Sequence, residues 1–93
     1  MGQLISNDLL VAIQIYRTQP KCWFGKLAED LSKTMDKHMV SHCLDTLFDW
    51  MIVFGEYGET SKGRGGRLLF IDENAEPMIK ELDELERQHP QIL

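Results

Sequence analysis

The stretch DKHMVSHCLDTLFDWMIVF, residues 36–54, decides the fold. Its apolar residues recur every three or four positions, which is the spacing of one face of an α-helix. The β-branched and aromatic residues at 52–54 favour a strand instead. We therefore expect a buried helix with one solvated face, followed near Met51 by a change to extended chain. The predicted buried face comprises Met39, Val40, Cys43, Leu44, Leu47, Phe48 and Met51.

Two shorter helical patterns precede this helix, one over about residues 7–18 and one over about residues 24–31. A short polar connector follows the second pattern, and its Thr34 or Asp36 is suited to cap the next helix. Two helices joined by a tight polar turn are typical of a helix-turn-helix, here expected at about residues 24–51.

Five glycines lie between residues 55 and 66, interleaved with polar and basic residues, which is typical of a long hairpin tip. With its two strands, this hairpin is expected to span about residues 52–71. A last amphipathic helix is expected at about residues 75–88, with Met78, Ile79, Leu82 and Leu85 on its apolar face. The predicted fold class is α+β, in one domain over residues 1–93.

The overall charge of the chain does not exclude nucleic acid as a ligand. The 93 residues have a formal net charge of −5, with 43% hydrophobic and 27% charged residues. Residues 72–93 hold two basic and seven acidic residues, and so account for the whole deficit. Acidic surface more than about 8 Å from a binding face is largely screened at physiological salt.

The composition also bears on the compartment. No apolar run approaches the roughly 20 residues that a membrane-spanning helix needs. Two cysteines are too few for a disulfide scaffold, which favours a reducing compartment. We therefore expect a cytoplasmic protein without a membrane partner.

The candidate contact residues lie in two places. The solvated face of the third helix presents hydrogen-bond donors in its first two turns, where a helix entering the major groove meets base edges. The hairpin adds basic side chains beside glycines that allow backbone to approach phosphates closely. The candidate DNA-binding residues are therefore Lys37, His38, Ser41 and His42 of the helix and Lys62, Arg64 and Arg67 of the hairpin.

Residues 39–47, MVSHCLDTL, followed by Ile52-Val53, resemble the recognition-helix signature of winged helix-turn-helix transcriptional regulators. Residues 63–74, GRGGRLLFIDEN, are similar to the wing and return strand of that family. The resemblance spans most of residues 6–88 and is closest to small MarR-, ArsR- and PadR-like regulators. It implies sequence-directed binding of double-stranded DNA by a homodimer, and repression or activation of transcription at the nucleoid.

The chain departs from this family at two points. The family usually has glycine where the third helix ends, whereas this chain has Trp50-Met51. That difference is tolerable if the helix ends without a residue in the left-handed conformation. The recognition face also lacks arginine, although a bidentate arginine–guanine pair is the commonest specific contact with a base.

The sequence is also compatible with other functions. The main alternative is a winged helix that contacts other proteins within a larger assembly, which the acidic charge and the arginine-poor face both favour.

His38 and His42 have a spacing that can chelate a metal, but no third ligand converges on them, so no metal or cofactor is expected. No nucleophile–base pair stands at a recognisable spacing, so an enzyme is not expected. Cys43 is expected to be a small buried hydrophobe, and a redox role is an alternative for Cys22.

Overall fold

A computed structural model of the chain describes residues 6–59 and 65–88. The α+β prediction is confirmed, with helices and strands in the expected order. The two strands pair antiparallel in a single hairpin. The elements are α1 (Asn7–Thr18), α2 (Phe24–Asp30), α3 (Lys37–Asp49), β1 (Val53–Glu59), β2 (Gly65–Ile71) and α4 (Glu76–Gln88).

Side-chain caps fix where α1 and α3 begin. The Leu9 N–H donates to Ser6 Oγ over 3.3 Å, and the Met39 N–H donates to Asp36 Oδ1 over 2.8 Å. Each cap satisfies one of the amides that a helix leaves without an intrahelical partner. Between the two proposed caps of α3, the structure selects Asp36 rather than Thr34.

The core lies where α3 packs against α1. The buried side chains of α3 are Val40, Cys43, Leu44 and Leu47, as the helical spacing predicts. Met39 and Met51 were predicted on the same face, but both are exposed. Met39 lies in the first turn of the helix and is 40% exposed, and Met51 lies beyond the last helical residue. The apolar face is therefore narrower than the sequence pattern indicates.

The chain leaves α3 through a reversal centred on Met51. The Ile52 N–H donates to the Leu47 carbonyl over 3.0 Å, and the Met51 N–H donates to the Phe48 carbonyl over 3.1 Å. This pair of bonds is the Schellman motif, whose central residue takes the left-handed conformation. Met51 has a φ of 61°, so α3 does end with a left-handed residue, and the condition under which the absence of glycine would be tolerable is not met.

The hairpin is attached to the helices by a third extended segment. Val53 pairs with Ile71 at its base, and the register continues to Glu59 opposite Gly65. Trp23 forms a bridge with Leu68, and the Leu69 N–H donates to the Cys22 carbonyl over 2.7 Å. The residues just before α2 are therefore extended and pair with β2.

The last helix is fastened to α1 by both apolar and charged contacts. Ile79 of α4 is fully buried, whereas Met78 and Leu85 of the predicted apolar face are exposed. The acidic Asp83 of the same helix is only 6% exposed. Its carboxylate accepts a hydrogen bond from Arg17 Nε of α1 and another from Arg87. The pairing with Arg17 makes burial of this acid tolerable.

The order of three helices, a hairpin and a further helix is that of a winged helix, with β1 and β2 as the wing. The predicted fold is confirmed. It places the exposed side of α3 and the wing next to each other in the chain and in space.

We predict that Met51→Gly stabilises the protein by about 0.5–1 kcal/mol, measured by urea denaturation. Glycine removes a left-handed penalty of about 1–2 kcal/mol, and part of this gain is offset by the greater freedom of glycine in the unfolded chain. Met51→Ala is the matched control, because it removes the same exposed side chain and keeps the penalty. A glycine variant no more stable than the alanine variant would contradict the assigned strain.

We predict that Asp83→Ala lowers the free energy of unfolding by about 2 kcal/mol, because Arg17 loses its buried partner. The expected loss is below the largest known values because Arg17 also donates to Glu86 over 2.7 Å. Glu84→Ala removes an exposed acid of the same helix and should change stability by less than about 0.5 kcal/mol. Equal effects of the two substitutions would show that the Arg17–Asp83 pair does not fasten α4.

Candidate nucleic-acid interface

The residues predicted to contact DNA from α3 all lie on its exposed side. Lys37, His38, Ser41 and His42 are exposed, and they occupy the first two turns of the helix. Burial of the opposite side fixes this orientation, because a helix with one buried face must present the other to solvent. The structure therefore brings these four polar side chains together on one surface.

Negative charge limits this surface at both ends. Asp45 and Asp49 are exposed in the second half of α3, on the same side as Ser41 and His42. At the start of the helix, Asp36 also carries a charge, but its carboxylate accepts the Met39 N–H as a cap. The first two turns are therefore the part suited to a polyanion, because the acidic side chains in the second half of the helix would repel phosphates.

Arg67 differs from the prediction that grouped it with the hairpin tip. Its guanidinium carbon lies 4.6 Å from the centre of the Phe48 ring of α3, a cation–π contact. The side chain reaches Phe48 across β1 at Gly55, where an added β-carbon would clash with Arg67 Nε. Arg67 is thus held beside the helix, and it stays exposed at the edge between α3 and the wing. Lys62 and Arg64, the other two basic residues predicted there, lie outside the described residues.

Two exposed residues near this surface were missed by the sequence reasoning. Lys33 lies in the turn between α2 and α3, and Tyr57 of β1 is 85% exposed opposite Arg67 in the register. The signal for Lys33 was its place in the polar connector before α3. For Tyr57, the signal was an aromatic residue between two glycines of the segment expected to form the hairpin tip, which the structure instead continues as β1 to Glu59.

Among residues 6–59 and 65–88, no three histidine, cysteine, aspartate or glutamate side chains form a group that could hold a metal ion. His38 and His42 face solvent one turn apart. The same part of the chain contains no helix that is both long and apolar enough to cross a membrane.

Both cysteines are buried, and burial controls their chemistry. Desolvation, with a smaller effect from the negative charge of Asp30, raises the pKa of the Cys22 thiol to about 12. Desolvation and a hydrogen bond with Asp8 raise the pKa of the Cys43 thiol to about 11. Because the thiolate is the reactive form, neither residue is poised for redox chemistry in the folded protein.

The fold and the exposed side of α3 define the class: a winged helix domain. The structure is similar to the crystal structure of Pex from Synechococcus sp., with a TM-score of 0.63 and 16% sequence identity. The alignment covers 94% of this chain and 84% of Pex. At this identity the similarity shows a shared fold. No family model and no curated protein sequence matches the chain.

We predict that neither thiol reacts with the disulfide reagent DTNB in the native protein at pH 8 within minutes. With pKa values this far above the pH, roughly 0.1% or less of each thiol is ionised, and both sulfurs are shielded. In urea at the same pH, two thiols should react at once. Rapid reaction of one thiol under native conditions would contradict its burial.

Proposed function

We propose that the protein is a transcriptional regulator that binds double-stranded DNA, with α3 in the major groove and the wing on the backbone or in the minor groove. The observation that carries the proposal is the exposed polar surface of the first two turns of α3 beside the wing. A major groove about 12 Å wide admits one helix, and side chains near the helix N-terminus are the ones that meet base edges.

The chemistry of the four α3 residues determines what this surface would do. Lys37 supplies a positive charge for a phosphate or a guanine. His38, Ser41 and His42 supply small or planar hydrogen-bond donors for base edges. Asp45 and Asp49 would be repelled by phosphates, so they favour an arrangement in which α3 tilts out of the groove after its second turn.

The wing would contribute mainly to affinity rather than to sequence preference. Arg67 is anchored on Phe48 at the edge of α3, where a phosphate lying between helix and wing would meet its guanidinium. Lys62 and Arg64 are proposed to extend this contact. Phosphate contacts release counterions, so the affinity should fall steeply as salt rises.

We further propose that two copies bind together as a homodimer, in the cytoplasm at the nucleoid. The exposed Leu85 of α4 supports self-association through that helix, because the contact of α4 with α1 leaves this large apolar side chain uncovered. Sedimentation analysis of the free protein and of its complex with DNA tests this directly. A single copy on each bound duplex would contradict the dimer.

The second candidate is a winged helix that contacts other proteins and binds no DNA. The observation that favours it is the pair of exposed acids, Asp45 and Asp49, on the side of α3 that would face the groove. A titration of fluorescent random duplex separates the two functions. Binding at low salt that weakens at high salt supports a DNA-binding regulator, and absence of binding at low salt supports the interaction module.

For a chain that binds DNA, we predict that Lys37→Ala weakens binding of random duplex severalfold and reduces the slope of log affinity against log salt by about 0.9. Lys80→Ala is the matched control, because it removes the same charge from α4. Arg64→Ala should weaken binding of all sequences alike. Fluorescence anisotropy at several salt concentrations measures these effects, and equal losses for Lys37→Ala and Lys80→Ala would refute the α3 interface.

Sequence preference is expected to depend on Ser41 and His42. Selection of bound sequences from a random duplex pool gives the preferred site, its length and the spacing of its halves. Repeating the selection with Ser41→Ala and His42→Ala should change the preferred bases while general affinity stays within a few-fold. An unchanged site in both variants would place base recognition elsewhere.

A further inference from the structure

Three large apolar side chains are exposed together where α3 ends and α4 begins. Trp50 is 57% exposed, Met51 is 78% exposed and Met78 is 46% exposed. All three line a groove of about 440 Å³, which we name the junction groove. Its floor is formed by Ile52 and Ala75, which pack against the core. Contiguous apolar surface of this kind is typical of a contact site rather than of free surface.

The backbone keeps Met51 in this exposed position. Its left-handed conformation points a large side chain outward in place of the glycine that the reversal favours. Met51 has almost no burial that would offset this strain. Trp and Met are also residue types that anchor contacts, Trp through its large rigid area and Met through its adaptable shape.

The charges around the groove indicate the kind of partner that would bind there. Asp72 lines the groove, and the exposed Asp49, Glu73 and Glu81 flank it in the chain. Of the described residues that line it, none is basic. In a dimer formed through this groove, the acidic side chains of one copy would face the same acidic side chains of the other, and like charges so placed repel each other. A positively charged partner gains from the same rim.

We infer that the junction groove binds a basic amphipathic segment of another protein, which inserts an apolar side chain among Trp50, Met51 and Met78. Lysine or arginine residues that flank this anchor face Asp72 and Glu81. The groove is separate from the first two turns of α3, so its role does not depend on DNA binding. A regulator that also binds DNA would use it to recruit a partner, and an interaction module would use it as its main contact.

A designed peptide tests the groove. The probe is an 18-residue fluorescein-labelled helix of leucine and lysine, with leucines on one face, and its counterpart has glutamate in place of lysine. Anisotropy should detect binding of the lysine peptide that weakens as salt rises, and at least tenfold weaker binding of the glutamate peptide. Emission of Trp50 should shift to shorter wavelength on binding, and Trp50→Phe should remove that shift.

Variants locate the binding. Met51→Lys should weaken the lysine peptide at least tenfold, and Met78→Lys provides the same test from α4. Met39→Lys is the matched control, because Met39 is exposed on α3 outside the groove, and it should change affinity less than twofold. Circular dichroism verifies that each variant is folded.

Three results would overturn the assignment. They are no binding of the lysine peptide, equal losses for Met39→Lys and Met51→Lys, and equal binding of the glutamate peptide. Sedimentation of the protein alone adds a fourth: a dimer that Met51→Lys or Met78→Lys dissociates would show that the occupant of the groove is a second copy.

Discussion

Burial of one side of α3 against α1 is the constraint on which the other features of the molecule depend. Val40 and Leu47 are fully buried two turns apart, which fixes the rotation of the helix about its axis. Once that rotation is fixed, the positions of Lys37, Ser41 and His42 in solvent follow from helical geometry alone. The same burial sets where the helix ends and hence where the wing begins.

The reversal at Met51 turns the end of α3 into β1 within two residues. Its two backbone hydrogen bonds satisfy carbonyls that the helix would otherwise leave unpaired. Trp50 and Met51 are consequently exposed, whereas Ile52 packs against the core. The same local geometry thus produces both the approach of the wing to α3 and the apolar surface of the junction groove.

The sequence was sufficient for the order of the elements and for the exposed side of α3. Both follow from periodicity, which depends only on local geometry and on the preference of apolar residues for the interior. The exposed side of α3 could therefore be predicted without knowing which elements pack against it. The cap of α3 was narrowed to Thr34 or Asp36, because side-chain capping is also a local interaction.

What the sequence left open depends on contacts between distant residues. Asp83 is buried because Arg17, 66 positions earlier, lies against it, and no local pattern marks that partner. Arg67 bends onto Phe48 only because Gly55 leaves its path clear. Met51 is exposed because a glycine-type conformation is imposed on it by the turn from helix to strand.

The side chain of Gln19, just after α1, forms hydrogen bonds with two distant parts of the molecule. Its Oε1 accepts the Ile71 N–H at the end of β2, and its Nε2 donates to Glu76 at the start of α4, both over 3.1 Å. The end of β2 is therefore connected to the start of α4 through one amide as well as through the intervening turn. The relative position of the wing and the last helix thus depends on a residue that belongs to neither.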